Sequence, residues 1–321
     1  MMRLFSMICL VVSLFSSSLS YAGNSLPVTD TFPEPDKQFK VSGIKYLKKS
    51  DTIVVPSMYL HTLVEGTHHE SKNGAHARVN YAVTNLGPEL GEEIATLIYD
   101  DLIAKLKASG WKVLTYEDTK DQADWEKIGI ADPLKQIGVE GYKWNWGYGD
   151  QYWMTSYPKG TPHFAPLKIG APGTPDIFKI TKKVGKKLDA NVLFPVYTFA
   201  APIAYGSTDR GYKKSTAEAA LAPKLSLYYV GGNFMNPKAA GGVVQLKEAI
   251  DVADNVGTAE RVEEVNQQDT SLFSFNVFRS VAKGDYAFTL DTESFKNAIV
   301  KTGKDFNTLL VAAYQEALPK K

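Results

Sequence analysis

Residues 88–116 read PELGEEIATLIYDDLIAKLKASGWKVLTY, and the reading of this stretch decides the fold. Proline suits the first turn of a helix, where its missing N–H has no intrahelical partner to lose, so Pro88 marks a start. Leu90, Ile94, Leu97, Ile98, Leu102 and Leu106 then recur at helical spacing. That spacing predicts an amphipathic helix over 88–107 with those six side chains as its core stripe. Gly110 lies just past the end, where helices commonly stop on glycine. Trp111 to Tyr116 reads as a strand, and Thr52-Ile53-Val54-Val55-Pro56 upstream as another, continuing through Met58, Leu60 and Leu63. Strand, helix and strand in that order predict a β-α-β unit, hence a parallel pairing inside an α/β sheet.

Working outward, the same rhythm returns after residue 174. Thr174-Pro175 is a helix start, and Ile177, Ile180, Val184 and Leu188 supply the stripe. Asn191 to Phe199 and Lys224 to Val230 are apolar strands. Gly231-Gly232-Asn233 and Gly241-Gly242 bracket a hairpin that returns through Val243 to Leu246. Residues 247–269 are acidic and polar, a solvated connection, and Leu272 to Phe278 is a further strand. Phe295 and Ile299, then Phe306, Leu309, Leu310, Ala313 and Tyr314, mark closing helices. Residues 65–78 are polar and His-rich and read as a loop. Residues 141–175 break the pattern with Tyr142, Trp144, Trp146, Tyr148, Tyr152, Trp153 and Tyr157 set among Gly and Pro, which predicts an insertion or long loop. The fold class is therefore α/β, a two-layer or three-layer mixed sheet with helices, in a single domain over 41–321.

The N-terminus is of a different kind. Arg3 precedes an apolar run from Leu4 to Leu14, then a serine-rich stretch ending Ser20-Tyr21-Ala22. This is the layout of a removable signal peptide over 1–22, cleaved after Ala22, and it places the mature protein in the periplasm or outside the cell. The run is too short for a membrane span, which takes about 20 apolar residues. Cys9, the chain's one cysteine, leaves with it, so thiolate catalysis, disulfides and Cys-ligated zinc are excluded for the mature chain. Residues 23–40, polar with Pro27, Pro33 and Pro35, read as a mobile leader. A net charge of +1 resembles no nucleic-acid footprint, and no later stretch is apolar enough for an integral membrane segment.

The run Lys186-Lys187-Leu188-Asp189-Ala190-Asn191-Val192-Leu193-Phe194-Pro195-Val196 is a helix end, a small-residue turn and an apolar strand. Together with Ile53 to Pro56, Ser109-Gly110-Trp111-Lys112-Val113 and the strand at Leu225 to Tyr229, it resembles the periplasmic α/β domain of the curli-assembly lipoprotein family. Relatives of that family include the lipoprotein activators of cell-wall synthases and the N-terminal domain of the Tol translocation protein. The resemblance covers roughly residues 50–320 and implies an envelope-assembly role. The family's Asp-and-Gly turn is replaced by Gly231-Gly232-Asn233, and the lipidation signal is missing. No long alternating hairpins are read for a pore, which speaks against a secretion channel.

Several patterns in the chain bear on chemistry. His61, His68, His69 and His76 fall close together, and imidazole clusters bind zinc or copper when three converge, with Glu65 or Glu70 to complete a site. Their spacing matches no metal pattern. Ser109, Ser274-Phe275-Asn276 and Lys301-Thr302-Gly303 follow the order of the penicillin-recognising enzymes, but Ser109 ends a helix instead of starting one. Asp121, Asp124 and Glu126 beside Trp125 form an acid cluster of the kind that cleaves glycosides. No phosphate loop, dinucleotide fingerprint or HExxH occurs, so no cofactor is implied. The strongest functional feature is the Tyr/Trp segment, whose flat rings suit sugars and partner hydrophobes.

These observations predict an exported, non-enzymatic binding or envelope-assembly protein whose aromatic loop takes an envelope protein or polysaccharide ligand. A hydrolase of envelope or carbohydrate substrates and a periplasmic metal-handling protein are the alternatives. Expression in a bacterial host followed by N-terminal sequencing of the exported protein checks the leader. The expected first residue is Gly23, and an intact Met1 in the exported fraction would contradict the assignment.

Overall fold

The computed structural model describes residues 25–72, 75–122, 125, 151–164, 177–210, 215–238, 240–262 and 286–318. Strand β7 (Asn191–Ala200) is its spine, and all ten of its residues are buried. An unbroken apolar run of this kind suits a strand covered on both faces. Its N-terminal part pairs in parallel with β2 (Thr52–Val55), at Ile53↔Asn191 and Val54↔Val192. Its C-terminal part pairs in parallel with β3 (Tyr59–Lys72), from Tyr59↔Val196 to Thr62↔Phe199. On its other side runs β10 (Leu225–Met235), antiparallel. Beyond β10 come β11 (Gly241–Leu246) and β1 (Phe39–Ser42), and beyond β2 comes β5 (Lys112–Thr115), in parallel.

Helices cover both faces. On one face α2 (Pro88–Ala108) and α5 (Thr292–Gln315) join Leu193, Tyr197 and Phe199 of β7 in one buried cluster. On the other, α4 (Ile177–Leu188) brings Val184 against Val54, Val192 and Phe194. The expected mixed α/β sheet therefore takes its three-layer form, with the strands at 52–55, 112–115 and 191–200 in one sheet. Two short helices, α1 (Pro35–Gln38) and α3 (Tyr116–Thr119), and a 3-10 helix over Ile44–Lys49 complete the described helical elements.

The stripe on α2 needs one correction. Ile94, Ile98, Leu102 and Leu106 are buried as expected, and Leu90 is partly so, but Leu97 is 39% exposed. At about 100° per residue, the buried positions centre between Gly91 and Leu102, and Leu97 lies roughly 130° away. Tyr99 is buried instead and donates its hydroxyl hydrogen to the Val55 carbonyl at 2.5 Å, tying the helix to β2. The closing helices are one helix, with Lys301-Thr302-Gly303 inside it. Gly303 is where α5 meets α2: a Cβ there would run into the Ile98 side chain.

Other expectations are overturned. The 23–40 leader is docked in its described part, because Leu26, Phe32 and Phe39 bury themselves in the cluster that α5 helps to form. Phe39 stacks on Phe306 at 5.7 Å, and Thr31 donates to Asp305 at 2.6 Å. The His-rich loop is a hairpin, β3 with β4 (Ala75–Thr84), in register from Glu65↔Ala82 to Lys72↔Ala75. The aromatic insertion contains a strand, β6 (Gln151–Ser156), antiparallel to β3. The polar connection after 247 contains β12 (Ile250–Ala253) and β13 (Gly257–Arg261), and β13 pairs with β14 (Tyr286–Leu290) beside β4. The strand expected over 272–278 lies outside the described residues.

A second long hairpin, β8 (Ile203–Arg210) with β9 (Ser215–Ala222), lies against the first. Two long hairpins thus exist where none was expected. The first is in register from Glu65↔Ala82 to Lys72↔Ala75 and the second from Ile203↔Ala222 to Arg210↔Ser215. Among the described residues no helix is long and apolar enough to cross a membrane.

The buried stripe makes a direct prediction. Leu102→Ala should lower stability by about 2–5 kcal/mol, the usual range for a buried leucine. Leu97→Ala should change it by less than about 1 kcal/mol, as exposed positions do. Urea unfolding of both variants checks the assigned rotation of α2.

Candidate functional site

The α4-bearing face of the sheet continues past α4 toward the hairpins, and there it changes character. Residues two apart on a strand share a face. On this face β3 presents Tyr59, His61 and Leu63. The register sets His61 opposite Thr155 of β6 on one side and Thr198 of β7 on the other, and Leu63 opposite Trp153. A histidine between two threonines therefore forms one polar row across three strands.

Aromatic clusters bound this row at both ends. Toward α4 lie Tyr59, Tyr157, Trp125, Phe164 and Phe194. Toward the hairpins lie Leu63, Trp153, Ala200 and Tyr81, with Tyr228 packed against them. Trp153 and Tyr228 meet edge to face at 5.9 Å. Tyr228 and Tyr229 are both half-buried, and the register between β10 and β7 shifts at this point. A bulge of this kind re-aims side chains.

The electrostatics follow from burial. His61 shares a hydrogen bond with Thr155 Oγ1 through Nδ1 at 2.9 Å, and its ring lies over Tyr59 with centroids 6.0 Å apart. Desolvation pushes its pKa down to about 4, so the imidazole is neutral at neutral pH. Such a group is a weak base there, and a hydrogen-bonding role suits it better than proton transfer. Burial likewise raises the Tyr59 hydroxyl well above its ordinary value. Thr198 Oγ1 and Trp153 Nε1 are buried without a hydrogen-bond partner. An unsatisfied polar group in such a place costs about 1–3 kcal/mol.

The residues singled out from the sequence fall into three sets. Tyr142, Trp144, Trp146 and Tyr148 lie outside the described residues, as do Asp124 and Glu126. Tyr152 sits on β6 opposite Glu65. Trp153 and Tyr157 are core side chains, 4% and 3% exposed, which corrects their reading as surface rings. Tyr157 donates to the Phe164 carbonyl at 2.6 Å and stacks on His163 at 4.6 Å. Strand alternation explains the correction, since Trp153, Thr155 and Tyr157 share the covered face. Trp125 is likewise buried and donates to Thr119 Oγ1 at 3.1 Å.

The four histidines are spread along the first hairpin. His61 and His68 are seven residues apart on an extended strand, roughly 20 Å. His69 is in register with Arg78, and His76 with Ser71. Among the described residues, no three His, Cys, Asp or Glu side chains converge as a metal site. The polar row itself was missed in the sequence, because it needs the register of three strands. The hairpin that carries it had a signal, Asn73-Gly74, the residue pair favoured in two-residue hairpin turns.

No family model, curated protein or solved structure matches the chain.

The neutral histidine carries a pH dependence of known sign. Unfolded, its imidazole protonates near 6.5; folded, near 4. Between those values the unfolded chain binds a proton that the folded one refuses, so stability falls as pH drops from about 6.5 to about 4. The fall is bounded by about 3 kcal/mol. Urea midpoints measured across this window should show it, and His61→Gln should flatten that part of the profile.

Proposed function

We propose that the protein is an exported, non-enzymatic binding or assembly protein of the cell envelope, of the type represented by the curli-assembly lipoprotein family. One observation carries this reading. The four stretches that bear the resemblance, at 53–56, 109–113, 191–196 and 225–229, contribute the adjacent strands β5, β2, β7 and β10, with α2 and α5 over one face. The polar row offers hydrogen bonding in aromatic surroundings and a poorly basic histidine, which favours holding a partner over turning over a substrate. The two hairpins extend beyond the α/β layers and supply surface for an envelope protein or polysaccharide.

Within this proposal the partner surface is shared between the hairpins and the aromatic segment at 142–148. Trp144→Ala with Trp146→Ala should weaken capture of envelope components by the tagged full-length protein. Under this proposal, equilibrium unfolding should change by less than about 1 kcal/mol, the usual effect of a substitution outside the core. A loss of about 3–5 kcal/mol would assign both rings to the core and remove the aromatic segment from the binding surface.

A further inference from the structure

Helix α4 reads IFKITKKVGKKL, with five lysines and no acidic residue. Its inner side is committed to the sheet: Thr181, Val184 and Gly185 are buried. Lys182, Lys183, Lys186 and Lys187 are all exposed. Spacings of one, four and five residues put these four ammonium groups on one helix face. Among the described residues no carboxylate pairs with Lys182, Lys183 or Lys186, whereas Lys37, Lys105, Lys120, Lys224, Lys296 and Lys301 each reach one.

Carboxylates flank the lysine row. Asp189 ends the helix, and Ser50, bonded to its carbonyl, carries Asp51 alongside. Glu117, Asp118 and Asp121, exposed on and just after α3, lie on the same side of the sheet, since Tyr116 and Trp125 pack in the cluster that holds Val184. Within the helix itself the exposed charges are all positive, although the chain as a whole carries a net charge of only +1.

The kind of cation selects the partner. Every cation of α4 is lysine. Arginine's rigid fork suits a defined phosphate or carboxylate, while lysine is a flexible point charge. A row of flexible ammonium groups fits a fluid layer of headgroups better than a fixed ligand. Clusters of four to eight such charges hold proteins to anionic bilayers. We infer that the outer face of α4 docks the protein on a membrane surface rich in anionic phospholipid.

The test uses the full mature protein and phosphatidylcholine vesicles with and without phosphatidylglycerol. The protein should sediment with the phosphatidylglycerol vesicles and not with phosphatidylcholine alone. Binding should vanish near 1 M salt, where the Debye length is about 3 Å. Changing Lys182, Lys183, Lys186 and Lys187 to Gln should weaken it by at least about tenfold. Arginine at the same four positions should keep it, and thermal unfolding of each variant confirms that the fold survives. Failure of the unmodified protein to bind, or equal binding by the glutamine variant, overturns the inference. Retention on heparin or duplex DNA without vesicle binding also overturns it and assigns the face to a soluble polyanion.

Discussion

Strand β7 is covered on both faces and on both edges, and the rest of the molecule is arranged to make that possible. A buried strand must have its N–H and C=O groups paired on each side. One edge is served entirely by β10. The other is longer than any single partner, so it is shared by β2 and then β3, with Pro56-Ser57-Met58 between them. That division has a structural consequence. Because β3 begins halfway along β7 and runs to Lys72, it outlasts the spine, and its remaining length pairs with β4 as a projecting hairpin.

Polar ties then fix the helices on the spine. The Tyr197 hydroxyl donates to Asn307 Oδ1 at 2.5 Å. Asn307 Nδ2 reaches the Ile98 carbonyl and Asp101 Oδ2, both at 2.9 Å. One buried amide therefore joins β7, α5 and α2. A network like this is specific because each missing partner would strand a polar group in a dry place. At the start of the spine Asn191 Nδ2 serves the carbonyls of Leu47, Ser50 and Thr52 at 3.0–3.3 Å, holding the entry to β2. Close packing completes the arrangement: Gly232 leaves room for Leu310, and the Tyr314 hydroxyl donates to the Gly232 carbonyl at 3.2 Å.

The two faces of the sheet differ in what they can offer. The α2/α5 face is a large apolar core crossed by that network, with Thr62 Oγ1, Ser156 Oγ and Trp111 Nε1 buried without a partner. The α4 face is interrupted by the row of His61, Thr155 and Thr198, with aromatic rings at either end and Thr198 Oγ1 and Trp153 Nε1 likewise unmatched. Unmatched groups are uncommon in a core. They occur on both faces, so what sets the α4 side apart is the polar row bounded by aromatic clusters.

Sequence alone was enough for the helix at 88–107, the strands around β7 and the mixed α/β class, because long periodic or largely apolar runs report burial directly; that both faces of the sheet are covered was decided by where α4 and α2/α5 pack. Sequence did not determine which way α2 is turned: six apolar residues span more than one face, and only the partners on α5 and β2 exclude Leu97. It also misread the polar segments. Residues 65–78 lack an apolar alternation, yet they form a hairpin because β7 ends and leaves the edge of β3 to be paired. Leu26, Phe32 and Phe39 looked like isolated apolar residues in a leader, and became core when α5 supplied a surface for them. The histidine between two threonines exists only in the folded chain. Strand register and crossover connections join residues that are over a hundred positions apart, and no local pattern records that distance.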